Sequence, residues 1–132
     1  MNDYVSWYGA LEKPFFAPEP WVFGFAWGII YPLIALAVIW SLYLFYKKRL
    51  DLNFMLLFAV TIIFNLTFTP VLFLSQNNLI ASLHILAVLI TLAFLQFFAW
   101  KKSKIVFALL VPYLLWGAFA TVLQLTLTVL NA

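Results

Sequence analysis

From Pro20 to the end of the chain, charged side chains occur at only two places, KKRLD at 47–51 and KKSK at 101–104. The segments between them are long and apolar. A helix crossing a bilayer needs about 20 predominantly apolar residues, and the runs 20–46, 52–100 and 105–132 supply one, two and one such lengths. A soluble fold is excluded by the same pattern. With 67% hydrophobic and 8% charged residues over 132 positions, too little polar surface exists to cover a globule. Strands are not credible either, because the alternating polar positions of a membrane barrel are absent.

The sequence therefore predicts an all-α integral membrane bundle, a single domain over 1–132 with four spans at about 20–46, 52–74, 79–100 and 105–130. At about 1.5 Å per residue, the first span is long enough to cross with tilt. Pro20 suits a first helical position. Pro32, Pro70 and Pro112 lie inside spans and are expected to bend them. SQNN at 75–78 reads as a short turn, so spans two and three are antiparallel neighbours. KKR and KKSK then share one side of the membrane, and the positive-inside rule assigns that side to the cytoplasm. The basic balance is thus a topology signal and does not point to nucleic acid.

Residues 1–19 differ from the rest. Met1–Ser6 is a short polar lead without the features of a cleavable signal. WYGALEKPFFAPEPWVFGFAW, residues 7–27, concentrates three of the six prolines and three of the six tryptophans. Pro14, Pro18 and Pro20 prevent a continuous helix from Lys13 to Glu19. Two readings fit. The aromatics form an interfacial belt, or residues 7–19 fold over the mouth of the bundle with their aromatics turned inward.

Helical neighbours lie three and four apart. Phe23, Trp27 and Tyr31 therefore share a face of span one, and Asn65, Phe68, Thr69 and Leu72 a face of span two. His84 lies about one turn into span three. Pro112, Tyr113, Trp116, Ala120 and Gln124 form a stripe on span four. Taken singly, each residue is explained by ordinary interhelical packing and hydrogen bonding. Together they bring aromatics and a few polar groups to the same half of one bundle, which suits a large, flat, mostly apolar ligand. Asn65, Gln124 or His84 would orient its polar edge. For His84 an interhelical hydrogen bond is the simpler reading, and haem ligation stays open.

Several chemistries drop out. No carboxylate lies within a span to carry protons, and no arginine to sense voltage. The serines lack a defensible base, no glycine-rich phosphate loop occurs, and without cysteine there is no thiolate chemistry.

Three stretches resemble the translocator protein family, also known as TspO/MBR, tryptophan-rich sensory proteins or peripheral-type benzodiazepine receptors. Residues 7–27 follow WYxxLxKPxWxPPxWxFxxxW, with Phe16 and Glu19 replacing its second Trp and the second Pro of its PP pair. NLTFTPVLF at 65–73 is a degraded NxxWSxxFF. PYLLWGAFATVLQ at 112–124 follows PYLxWxxFAxxLN, with Gln124 in place of Asn.

The resemblance implies a receptor or sensor that binds planar tetrapyrroles such as protoporphyrin IX and haem, and similar hydrophobic ligands, under the first loop. The pocket positions carried over are Tyr8, Pro18, Phe23, Trp27, Tyr31, Asn65, Phe68, Trp116 and Ala120. No cofactor is required, and porphyrin or haem is a ligand. Some members degrade porphyrin oxidatively in light with two pocket tryptophans, whose counterparts are Trp27 and Trp116. Transport of tetrapyrrole or sterol is the third reading. Three departures stand out. Family members have five spans, the first before the WY motif, so either the chain is a shortened member or its start has been placed too late; a missing helix would expose one side of the bundle, which a homodimer could cover. His84 stands where relatives carry an acid. The forward cholesterol pattern lacks its basic residue after Tyr113, while the reversed one is formally met by Lys104, Phe107 and Leu109.

Overall fold

The computed structural model describes residues 9–131. It contains four long helices: α1, Pro20–Tyr46; α2, Leu52–Ser75; α3, Asn78–Lys102; and α4, Lys104–Leu130. Each is long and apolar enough to cross a membrane. Among the described residues there is no strand. The helix ends are set by local chemistry. Asp51 caps α2 by accepting from the Phe54 N–H at 3.2 Å. Asn77 caps α3 by accepting from the Leu79 and Ile80 N–H groups. Gln76 ends α2 in the left-handed conformation, φ 45°, a common helix stop. Between α3 and α4 only Ser103 is non-helical, and its hydroxyl caps α4. The helices continue unbroken through Pro32, Pro70 and Pro112.

The four helices close into an incomplete ring. Helix α3 packs along both α2 and α4, α1 packs on α4, and α1 meets α2 only along a narrow seam. In the half nearest the basic turns the interior is tight. Ala37, Leu92, Leu95, Ala99, Val106 and Leu110 are fully buried there. Lipid tails are as apolar as these side chains, so close van der Waals packing stabilises this half more than water exclusion does. The outer faces display Ile39, Leu66, Leu83 and Leu115, a surface only a bilayer solvates.

The segment before α1 lies against the far end of α4. Oδ1 of Asn131 accepts from the Glu12 N–H, and Nδ2 of Asn131 donates to the Glu12 carbonyl, both at 2.9 Å. The Ala17 N–H closes a turn onto the Pro14 carbonyl at 3.1 Å. Of the two residues inside that turn, Phe16 packs on Phe119 with ring centroids 6.3 Å apart, whereas Phe15 is entirely exposed. The expectation that the loop aromatics all turn inward is therefore corrected. A turn this tight presents only one of its two central side chains to α4. Trp21 also faces outward, its indole N–H donating to the Glu19 carboxylate at 3.0 Å. Trp7 and Tyr8 lie outside the described residues.

Candidate functional site

In the half of the bundle remote from the basic turns the helices enclose a cavity of about 420 Å³. Helix α1 contributes Phe23, Trp27 and Tyr31, and α2 contributes Asn65, Phe68, Thr69 and Leu72. Helix α3 adds Ile85, Val88 and Leu89. Helix α4 adds Tyr113, Trp116, Gly117, Ala120, Leu123, Gln124 and Leu127. The spacings of three and four residues place each set on one helix face. Gly117 and Ala120 are small, and they leave room beside the indole of Trp116.

The aromatic wall is continuous. Trp27 stacks on Tyr31, with centroids 5.0 Å apart and planes 27° from parallel. It meets Trp116 edge to face at 6.4 Å. Phe23 also meets Trp116 edge to face, at 5.7 Å. Such pairs prefer edge-to-face and offset geometry because ring faces are negative and edges positive. Across the α1–α2 seam, Asn65 Nδ2 donates to the Tyr31 hydroxyl over a long 3.4 Å.

Near the mouth a polar cluster joins α3 to α4. Gln124 Nε2 donates to Asn78 Oδ1 at 3.2 Å, and the Thr128 hydroxyl donates to the Asn78 carbonyl at 3.0 Å. Ser82 and Thr128 share a hydroxyl contact. In the wall itself, the Trp116 indole N–H and the Tyr113 hydroxyl are buried without a protein partner. None of the lining side chains is ionisable apart from the two tyrosines. The cavity is thus apolar, aromatic and uncharged, with polar groups at a few points.

Of the positions singled out from sequence, Phe23, Trp27, Tyr31, Asn65, Phe68, Trp116, Ala120 and Gln124 are brought together here. Pro18 is half-buried in the loop and is not part of the lining. Tyr8 lies outside the described residues. His84 stands apart from the cavity. Its Nε2 lies 2.8 Å from the Phe64 carbonyl, which can only accept, so Nε2 carries the proton and donates. The Thr67 hydroxyl lies 3.0 Å from the same nitrogen, and the ring packs between Phe64 and Phe68. His84 thereby ties α3 to α2.

Sequence reasoning did not find the contribution of α3. Ile85, Val88 and Leu89 sit on the face adjacent to His84. The polar side chains within this helix, Ser82, His84, Thr91 and Gln96, all lie off the cavity lining, so nothing distinguishes its cavity-facing positions from its lipid-facing ones. The i, i+3, i+4 spacing from Ile85 was the one usable signal.

Four membrane-crossing helices around an uncharged, aromatic cavity define a multi-pass integral membrane protein. Residues 1–130 match the TspO/MBR family. The chain is 39% identical over 128 residues to the tryptophan-rich protein TspO of Bacillus cereus, covering 96% of this chain and 81% of that one. It is 32% identical over 129 residues to the protein of the same name from Archaeoglobus fulgidus, with the same coverage. To the tryptophan-rich sensory protein of Cereibacter sphaeroides it is 30% identical over 132 residues, covering 96% and 77%. The chain belongs to the TspO/MBR family.

Proposed function

We propose that this protein is a membrane receptor or sensor whose cavity binds a planar tetrapyrrole, protoporphyrin IX or haem, or a hydrophobic ligand of similar shape. The observation that carries this reading is the wall formed by Trp27, Tyr31, Phe23 and Trp116 around an uncharged space. Flat conjugated rings gain dispersion and offset stacking from such a wall. Polar groups at Asn65 and Gln124 orient an edge. At about 420 Å³ the cavity lies toward the lower end of the ~300–1,000 Å³ usual for small-molecule sites. A tetrapyrrole would extend into the α1–α2 seam, which the long Tyr31–Asn65 hydrogen bond bridges. Haem would be held by stacking, since His84 directs its proton-bearing nitrogen at α2.

A second reading has its own support in the contact between Trp27 and Trp116. A porphyrin held against both indoles could, when excited by light, draw an electron from one of them, and oxygen would serve as terminal oxidant. Light-dependent oxidative breakdown of the porphyrin then follows binding at the same wall. Transport ranks third, because no ionisable group within the spans other than His84 and tyrosines offers a coupling charge.

The basic turns at 47–49 and 101–104 face the cytoplasm in this proposal, and a homodimer covers the open seam.

The test is a titration of detergent-purified protein with protoporphyrin IX in the dark, read by tryptophan quenching, followed by illumination. Saturable quenching is expected, and it weakens in Trp27→Phe and Trp116→Phe. Absence of saturable binding by folded protein overturns the tetrapyrrole reading. Porphyrin loss in light that needs both tryptophans moves the assignment to an enzyme.

A further inference from the structure

A second cavity, of about 540 Å³, lies at the opposite end of the molecule, between the start of α2 and the end of α3. Its rim carries Asp51, Asn53, Lys101 and Lys102, and its floor is made by Phe54, Leu57 and Phe98. The floor points into the span and the rim lies at its end, so the cleft is apolar below and cationic above. Its depth in the membrane is marked by neighbouring aromatics. Lys104 Nζ sits 3.0 Å from the centroid of the Trp100 ring, Lys101 Nζ lies 4.3 Å over Phe97, and Lys47 lies near Tyr43 and Tyr46. Tryptophan and tyrosine gather at headgroup level, and cations ride above them on their alkyl stems.

Charge at this end is lopsided. Six of the seven basic residues are here, against the single carboxylate of Asp51. That carboxylate is already engaged. It caps α2 through the Phe54 N–H and stands 3.6 Å from Lys102 Nζ, the one ion pair among the described residues. Both partners are partly exposed, so the pair is loose and leaves Lys102 able to share its charge.

We propose that this cleft is a binding site for an anionic phospholipid. The phosphate is taken between Lys101 and Lys102 at the rim, and the first carbons of an acyl chain lie on Phe54, Leu57 and Phe98. Basic clefts between membrane helices suit such headgroups because the phosphate meets fixed cations while its tails stay in hydrocarbon. Asp51 holds Lys102 at the rim when no lipid is bound.

The site is separate from the aromatic cavity and does not rest on what that cavity binds. The full chain, in detergent, is titrated with phosphatidylglycerol, phosphatidylcholine or sodium phosphate, with thermal stabilisation and lipid retained in native mass spectrometry as readouts. Phosphatidylglycerol is expected to stabilise the protein and be retained, and phosphatidylcholine much less so. The pair Lys101→Gln, Lys102→Gln should lower apparent affinity by about tenfold or more, and the pair Lys47→Gln, Lys48→Gln by about twofold at most. Asp51→Asn keeps a good helix cap and removes the competing carboxylate, so it should bind phosphatidylglycerol more tightly. That gain does not depend on the lysine variants folding. Equal losses in both lysine pairs would reduce the effect to diffuse attraction and overturn the site. Equal response to the two lipids, no gain in Asp51→Asn, or competition by millimolar free phosphate would overturn it too.

Discussion

Asn131 grips the main chain of Glu12 from both sides, accepting from its N–H and donating to its carbonyl, each over 2.9 Å. An amide side chain is suited to this because it mimics a peptide group and satisfies donor and acceptor at once. Phe16 also packs this segment against Phe119. In Asn131→Ala both bonds go, a net loss of roughly 1–3 kcal/mol for that contact. Amide exchange in residues 9–17 should accelerate by about tenfold or more, while exchange within the spans stays unchanged. Asn131→Asp keeps the acceptor alone and should fall between. Unaltered exchange in Asn131→Ala would show that the phenylalanine contact suffices.

The cavity should be closable without unfolding the bundle. Ala120 lines it beside Trp116. Ala120→Phe places a ring in that space, so porphyrin quenching should vanish while helical circular dichroism and melting temperature are kept. At Gly117, an added Cβ would meet Leu92 Cδ2 at 3.9 Å and Leu89 Cδ1 at 4.0 Å, ordinary contact distances. Gly117→Ala should therefore stabilise by up to about 1 kcal/mol through helix propensity, measured by thermal or denaturant unfolding. A destabilised Gly117→Ala would mean that α3 and α4 pack more closely there than described.

Tyr31 and Asn65 hold the α1–α2 seam by a single long hydrogen bond. Tyr31→Phe keeps the ring stacked on Trp27 and removes only the acceptor. Association and dissociation of protoporphyrin IX should both quicken, with affinity within about threefold, because one interhelical hydrogen bond in a membrane contributes about 0.6 kcal/mol. Stopped-flow quenching separates the two rates. A large loss of affinity with unchanged rates would assign the hydroxyl to ligand contact instead.

His84→Ala separates structural from ligand roles. The Phe64 carbonyl and Thr67 hydroxyl lose their partner from α3, at a cost of roughly 1–2 kcal/mol. The melting temperature should fall, while porphyrin affinity in the surviving folded fraction changes little. With haem, the Soret band of the variant should match that of the parent protein. A changed band would mean that the imidazole reaches iron.

The spans were legible because charge and turn residues punctuate the chain so sparsely. Pro20–Tyr46 agrees at both ends with the sequence reading, and the other helices begin and end within two residues of it. The small shift at α3 has a clear cause. Lys101 and Lys102 continue the helix, where their charge favours the C-terminal end of its dipole, and Ser103 alone turns the chain. The cavity faces of α1, α2 and α4 could also be read, since Trp27, Asn65 and Gln124 mark them against a uniform background. Helix α3 carries no such mark on the cavity side, so that face was not visible. The orientation of Phe15 escaped for another reason. Outside a helix, no repeat fixes which way a side chain points.

The turn at Ser103 has a mechanical meaning. Helices of 25 and 27 residues flank one non-helical position, so α3 and α4 behave as the arms of tweezers riveted at the basic end. Spreading there is barred, and Gln96 adds a cross-brace to the Phe107 carbonyl at 3.1 Å. Any given angular separation then becomes displacement in proportion to distance from the rivet. The aromatic cavity sits far out along the arms, where a small flexure yields the largest change in width.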